Sequence, residues 1–280
     1  MKGEKQMLRS MYSGVSGMKG FQTKLDVIGN NISNVNTIGY KKSTINFQDL
    51  LSQNLSGSGV NSMQVGLGSM TSAINVIHNP GSFMTTGVGS DVAINGDGFF
   101  VVQDPTVPAN STADRYLTRA GNFVVNAQGN LVTSQGYNVI GRREPATNPA
   151  IYEPIKIDSN TYESFSINLL GEVVGKDANG TETIIASIAI AQPDNPAGLN
   201  KSGGSLYELT SKADSQTLTQ MIGTATTNNV EVGSGMLEMS NVDLTEEFTE
   251  MIIAQRGFQA NSRTITTSDE ILQEVVNLKR

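Results

Sequence analysis

Apolar residues recur at heptad-related positions at both ends of the chain. Leu8, Met11, Val15, Met18, Leu25 and Ile32 form one stripe, and Leu244, Phe248, Met251, Phe258, Ile265, Leu272 and Val276 form the other. A repeat near 3.5 residues places such positions on one helical face. Helices are therefore predicted from about Leu8 to Val35 and from Leu244 to Arg280. The first carries Gly14, Gly17, Gly20 and Gly29, each costing about 1 kcal/mol relative to Ala, so it needs a partner. Asn30-Asn31 and then Asn34, Asn36, Thr37 and Gly39 read as its stop signals, with Gly39 able to supply a left-handed cap. The second opens on Asp243 and Glu246 in capping-box spacing, with Glu247 in its first turn and Lys279-Arg280 at its far end. Gln255, Ser262 and Asp269 interrupt its seam with polar groups that can fix register.

Between the stripes the period shortens to two. Val92-Ala93-Ile94 and Phe99 to Val102 flank Asn95-Gly96-Asp97-Gly98; Phe123 to Val125 and Leu131-Val132 flank Asn126 to Asn130; Gly171 to Val174 and Thr183 to Ala191 bracket Asp177-Ala178-Asn179-Gly180. Each reads as a hairpin, because the turn residues tolerate positive φ. The fold expected is α+β: long N- and C-terminal helices forming a coiled-coil-like domain, with an inserted, mainly antiparallel β domain. Residues 1–36 and 241–280 would make the helical assembly domain. Residues 37–70 would be a connector, Gly/Ser/Asn-rich from Ser52 to Gly68, and 71–240 the β-rich outer domain with a return segment.

Composition narrows the chemistry. A net charge of -7 with Lys and Arg only in scattered pairs argues against nucleic acid as partner, since no basic run neutralises phosphates. The chain has no cysteine, which excludes thiolate metal sites, thiol catalysis and disulfides. No stretch approaches the roughly 18 apolar residues of a membrane span. The N-terminal segment is broken by Arg9, Ser10, Gly14 and Lys19, unlike a cleavable signal peptide. Met7 directly precedes the heptad stripe, so either Met1 or Met7 could be the start.

Catalytic constellations are missing. His78 is the sole histidine, no nucleophile elbow is present, and a metal site of several histidines is impossible. Asp91, Asp97, Asp104 and Asp114 could in principle supply an acid pair, but all sit in or beside turn sequences. The expectation is a non-enzyme without cofactor or metal. The two terminal stripes then read as assembly devices in preference to a helical hairpin that merely closes one domain. A β module that binds carbohydrate is the competing idea; it would require an aromatic platform, whereas Phe99, Phe100, Phe123, Tyr137 and Phe165 fit core positions at period two.

Three separated motifs carry a resemblance. Ser10-Met-Tyr-Ser-Gly-Val-Ser-Gly-Met18 with Leu25-Asp-Val-Ile-Gly-Asn-Asn-Ile-Ser-Asn-Val-Asn-Thr-Ile-Gly-Tyr-Lys41 stands first; Asp91-Val-Ala-Ile-Asn-Gly-Asp-Gly-Phe-Phe100 and Leu117-Thr-Arg-Ala-Gly-Asn-Phe123 follow; Ser240-Asn-Val-Asp-Leu244, Ala254-Gln-Arg-Gly-Phe258 and Thr266-Thr-Ser-Asp-Glu-Ile-Leu272 close the set. In this order they resemble the bacterial flagellar hook and rod axial proteins. Within that family the ends look closer to hook members, with distal rod members as the alternative, and the chain is short for a hook subunit.

The resemblance implies a structural subunit of the flagellar hook that polymerises into a helical tube transmitting torque. Its partners would be itself, the flagellar rod and hook-filament junction proteins, the hook cap and the flagellar type III export apparatus. It would reside in the flagellum, outside the cell after export without signal-peptide cleavage. Val15, Leu25, Ile28, Ile32, Leu244, Phe248, Met251, Phe258, Ile265 and Leu272 are the expected self-assembly residues, and the Ser52 to Gly68 segment the compliant element.

Overall fold

A computed structural model describes residues 2–55, 63–108, 114–143, 152–158, 161–214 and 221–278. The chain divides into two compact units. A helical unit comprises Met1–Asn34, Lys42–Ile77 and Val242–Arg280, and a β unit comprises Val35–Lys41 and His78–Asn241.

In the helical unit the two terminal stripes become helices Lys2–Ser33 and Leu244–Leu278. Asp243 caps the second, its Oδ1 accepting the N–H groups of Thr245 (2.7 Å) and Glu246 (3.4 Å), and these bonds hold its carboxyl below the usual range. The reciprocal half of the capping box is replaced, since the Glu246 carboxylate takes the Lys42 ammonium at 2.7 Å. The connector expected over residues 37–70 is redrawn. Strand Ser43–Asp49 pairs antiparallel with Ser69–Val76, and Gln53–Leu55 with Met63–Val65, so most of that segment extends as a ribbon belonging to the helical unit. Phe47 lies against Phe21 at 6.3 Å between ring centroids, an apolar anchor for the ribbon on the first helix. Of the expected Ser52 to Gly68 linker, residues 56–62 lie outside the described residues.

The β unit is built on an antiparallel ladder that runs Tyr162–Ile167, Glu172–Asp177, Glu182–Ile188, Asn138–Arg143, Phe99–Gln103, Arg115–Thr118, Leu206–Glu208, Asn200–Gly203. Phe99–Gln103 is buried at all five positions, which is why it reads as a continuous apolar run and not as an alternation. Phe100 stacks edge-on against Phe123 at 5.2 Å. Val102, Leu131, Val139, Ile155, Ile188 and Ile190 fill the core around them.

Two of the three expected hairpins form: Phe123–Val125 with Leu131–Thr133, and Glu172–Asp177 with Glu182–Ile188. The first does not. Val92–Asn95 pairs with Glu231–Ser234, while Phe99–Gln103 pairs with Arg115–Thr118. Gly96 and Gly98 take φ of +127° and +152°, so the intervening three residues redirect the chain into a different ladder. The polar return segment after Thr210 accordingly contributes strands of its own, at Ile222–Gly223 and Glu231–Ser234.

The boundaries between units follow residues 34, 41, 77 and 241, and one carboxylate gathers the β-unit side of three of them. Glu238 is fully buried. Its Oε1 accepts the Lys41 ammonium at 2.6 Å and the Gly81 N–H at 3.0 Å, its Oε2 accepts Arg119 Nη1 at 3.3 Å, and its carbonyl accepts the Gly39 N–H at 2.8 Å. Gly39 does adopt a left-handed φ of +67°, and the conformation serves that bond. Lys41 also donates to the Asn79 carbonyl at 2.8 Å; burial pulls its ammonium below the ordinary value, and Glu238 opposes that. Arg119 lies over the Phe99 ring at 5.2 Å and donates to the Gly96 carbonyl at 2.9 Å.

Removing the charge from Glu238 strands two buried cations. Glu238→Gln should destabilise the fold by about 3–5 kcal/mol in denaturant titration, whereas replacing Glu238, Lys41 and Arg119 together by apolar residues of similar size should cost much less. Equal losses in the two variants would count against this account.

Candidate self-assembly surface

The two helices pair antiparallel through a seam of unusually small and polar residues. On the first, Gly14, Gly17, Phe21, Lys24, Ile28 and Asn31 alternate in steps of three and four. Opposite them, a Cβ on Gly14 would touch Ile265 at 3.2 Å, one on Gly17 would touch Asn261 at 3.0 Å, and one on Gly257 would lie 2.5 Å from Phe21. Lys24 engages Glu250. Asn31 donates to Glu247 at 3.1 Å and exchanges bonds with the Ser43 backbone at 2.9 and 3.0 Å. The glycines that weaken the helix in isolation are the residues that let its partner approach. Ala254 and Ser268 continue the seam as further buried positions of the second helix.

The ten expected assembly residues fall into two groups. Ile28 is buried, and Leu25, Ile32, Met251, Ile265 and Leu272 are half-buried. Val15 (50% exposed), Phe248 (50%), Leu244 and Phe258 instead face outward. The reason is a register offset. Positions 251, 265 and 272 are half-buried along the seam, but at 258 the seam residue is the preceding Gly257, and the alternate positions are Glu247, Ala254, Asn261 and Ser268, one residue before the Phe248, Gln255, Ser262, Asp269 series read from hydrophobicity. Val276 is likewise exposed.

Outside the seam the second helix presents Leu244, Phe248 and Ile252 in steps of four, a row on one face. Ile253, Ile271, Val275, Val276 and Leu278 add further exposed apolar surface, as Tyr12 does on the first helix. Exposed apolar residues in such a row make this face the candidate contact surface. Ile252 and Tyr12 were absent from the expected set; the step of four from Leu244 is the signal that finds Ile252.

The acids weighed as catalytic candidates serve turns. Asp91 accepts the Thr86 hydroxyl at 2.6 Å. Asp104 accepts the Thr106 hydroxyl and N–H at 2.6 and 2.9 Å, which holds its carboxyl low. Asp97 and Asp114 are exposed, Asp114 at a positive φ of 54°. His78 stacks between Phe99 and Tyr207. Among the described residues no group of three His, Cys, Asp or Glu could hold a metal ion, and no helix is long and apolar enough to cross a membrane.

Three family models match the chain: "Flagella basal body rod protein" over residues 11–41, "Flagellar hook protein FlgE/F/G D1 domain" over 93–175 and "Flagellar basal body rod FlgEFG protein C-terminal" over 234–278. The flagellar basal-body rod protein FlgG of Bacillus subtilis (strain 168) is 48% identical across 98% of this chain and 100% of its own length. The chain belongs to the flagellar hook and basal-body rod protein family. The FlgG of Borreliella burgdorferi is 36% identical, and the hook protein FlgE of the same organism 28% identical, each covering 98% of this chain and 100% of itself. A solved chain of the Helicobacter pylori hook protein FlgE2 overlaps 26% of this chain and 21% of itself, at 25% identity and a TM-score of 0.22.

Each family segment contributes one member of the buried ion cluster: Lys41 ends the first, Arg119 lies in the second and Glu238 in the third. Gly39-Tyr40-Lys41, at the end of the first matched segment, thus belongs to the ion cluster of the β unit, while the helical seam lies within the first and third segments.

Two predictions follow from the seam and the outer row. Gly257→Ala should lower the melting temperature followed by circular dichroism despite the gain in helix propensity, whereas Gly29→Ala, whose Cβ meets nothing within 4 Å, should stabilise by up to about 1 kcal/mol. The pair Phe248→Asp and Ile252→Asp should leave the monomer's melting curve within a few degrees of the parent yet abolish fibre formation seen by electron microscopy; fibres of normal length would refute the assigned surface.

Proposed function

We propose that this chain is a structural subunit of the bacterial flagellar axis and that its place is the basal-body rod. One observation carries the rod assignment. The rod relatives match it end to end in alignments of 282 and 284 residues, whereas the hook relative of Borreliella burgdorferi requires 451 positions to cover the same chain. A hook subunit of that kind carries a long insertion that this chain lacks. The hook remains the second reading, favoured by hook relatives that also span 98% of the chain.

The mechanism is assembly and not catalysis. Each copy would bury its outward row against a neighbour, using unlike surfaces on the two sides. Because such heterologous contacts do not close under a general rotation, they propagate into a helical tube. Torque then passes through the helices, the stiffest elements. The copies would be delivered uncleaved by the flagellar type III export apparatus, and their neighbours along the axis would be rod and hook proteins. Coiled-coil-like association of terminal helices between copies belongs to this reading, as does a domain scheme that counts residues 1–36 and 241–280 as the assembly domain.

Electron microscopy of basal bodies from cells lacking this protein tests the assignment. A truncated rod is the result expected; a complete rod without a curved segment would move the protein to the hook.

A further inference from the structure

His78 occupies a place the assembly mechanism does not use. It begins the passage by which the chain re-enters the β unit, one residue before Asn79, whose carbonyl binds Lys41, and three before Gly81, whose N–H binds Glu238. Its ring stands edge-on to Phe99 at 5.6 Å and to Tyr207 at 5.5 Å, and Phe99 and Tyr207 are themselves buried. Its Nδ1 is buried without a hydrogen-bond partner.

The charges that act on the imidazole are all positive. They come from Lys41 in the 35–41 passage, Arg119 beyond strand Arg115–Thr118, and Lys201 in strand Asn200–Gly203. Lys201 lies over the Tyr40 ring at 4.7 Å and donates to the Lys41 carbonyl at 3.0 Å. The one carboxylate of the cluster, Glu238, is already shared by Lys41, Arg119 and the Gly81 N–H. Tyr207, raised by burial, stays a neutral phenol. Only the Pro196 carbonyl favours the protonated ring. A second proton on the half-buried His78 would therefore add a cation beside buried Lys41 and Arg119, whose shared anion is Glu238 alone, with exposed Lys201 adding to the positive side.

We propose that His78 is an acid-operated release: proton uptake on its imidazole loosens residues 38–41 and 78–82 from Glu238 while the Phe99–Gln103 core stays folded. The direction follows from linkage. Burial and the three cations lower the imidazole from 6.5 to about 4, so the unfolded passage binds the proton more tightly than the folded one. The clamp is at full strength above pH 6.5, weakens as pH falls toward 4 and has lost this contribution below it.

Hydrogen exchange of the full-length protein between pH 4 and 7.5, corrected for intrinsic rates, reads the release directly. Peptides covering 38–41 and 78–82 should lose at least tenfold protection on acidification while the 99–103 peptide keeps its own. His78→Phe, which preserves a ring between Phe99 and Tyr207, should hold protection to a pH at least one unit lower. Loss at the same pH in both proteins would assign the effect to Glu238 or another carboxylate and overturn the proposal. Should the variant not fold, the sole histidine of the chain gives one imidazole resonance in the parent protein; titration near 6.5 would equally overturn it.

Discussion

A carboxylate without solvent exposure has to be neutralised where it sits, and Glu238 meets that demand with groups drawn from three distant parts of the chain. Its ligands are an ammonium at the end of one passage, a backbone N–H at the start of the next and a guanidinium pinned over Phe99. Isolated, any of these would be an expensive buried group; together they admit one arrangement. That arrangement fixes where the chain leaves and re-enters the β unit, so the placement of the strands it feeds follows from it. The contribution is specificity of path more than net stability, since an apolar trio of similar volume could be as stable and would dictate no path.

The helical unit solves a different problem. The helix pair leaves Leu244, Phe248 and Ile252 exposed and meets through other residues. The seam is accordingly made of Gly14, Gly17, Gly257, Ala254 and the polar pairs Lys24–Glu250 and Asn31–Glu247. Close approach substitutes for side-chain bulk, and the polar pairs favour one antiparallel register, because sliding by a turn would part the buried Glu247 carboxylate from the Asn31 amide that donates to it. Phe248 and Ile252 take no part in that seam and stay exposed.

How much of this could be read in the sequence depends on the range of the interaction responsible. The C-terminal helix was legible from Asp243, a local cap whose effect spans three residues. Two hairpins were legible because their turns bring sequence neighbours together. The Asn95-Gly96-Asp97-Gly98 turn misled, since positive φ at both glycines is compatible with redirection as well as reversal. Of the helix pair, positions 251, 265 and 272 read from the heptad lie along the seam, whereas Phe248 and Phe258 are displaced by one from the seam residues Glu247 and Gly257, because a rule that follows hydrophobicity selects Phe over Glu or Gly. The ion cluster left no local trace at all: Lys41 and Glu238 are 197 positions apart, and Arg119 and Glu238 are 119 apart.

The narrowness of the glycine-lined seam has a geometric corollary. Interaxial distance is set by the side chains at the contact, so a pair joined through Gly and Ala is slimmer than one joined through Leu. In any wall that such pairs were to line, slimmer staves would mean more of them per length of circumference, and a twisting load would be divided among more lateral joints.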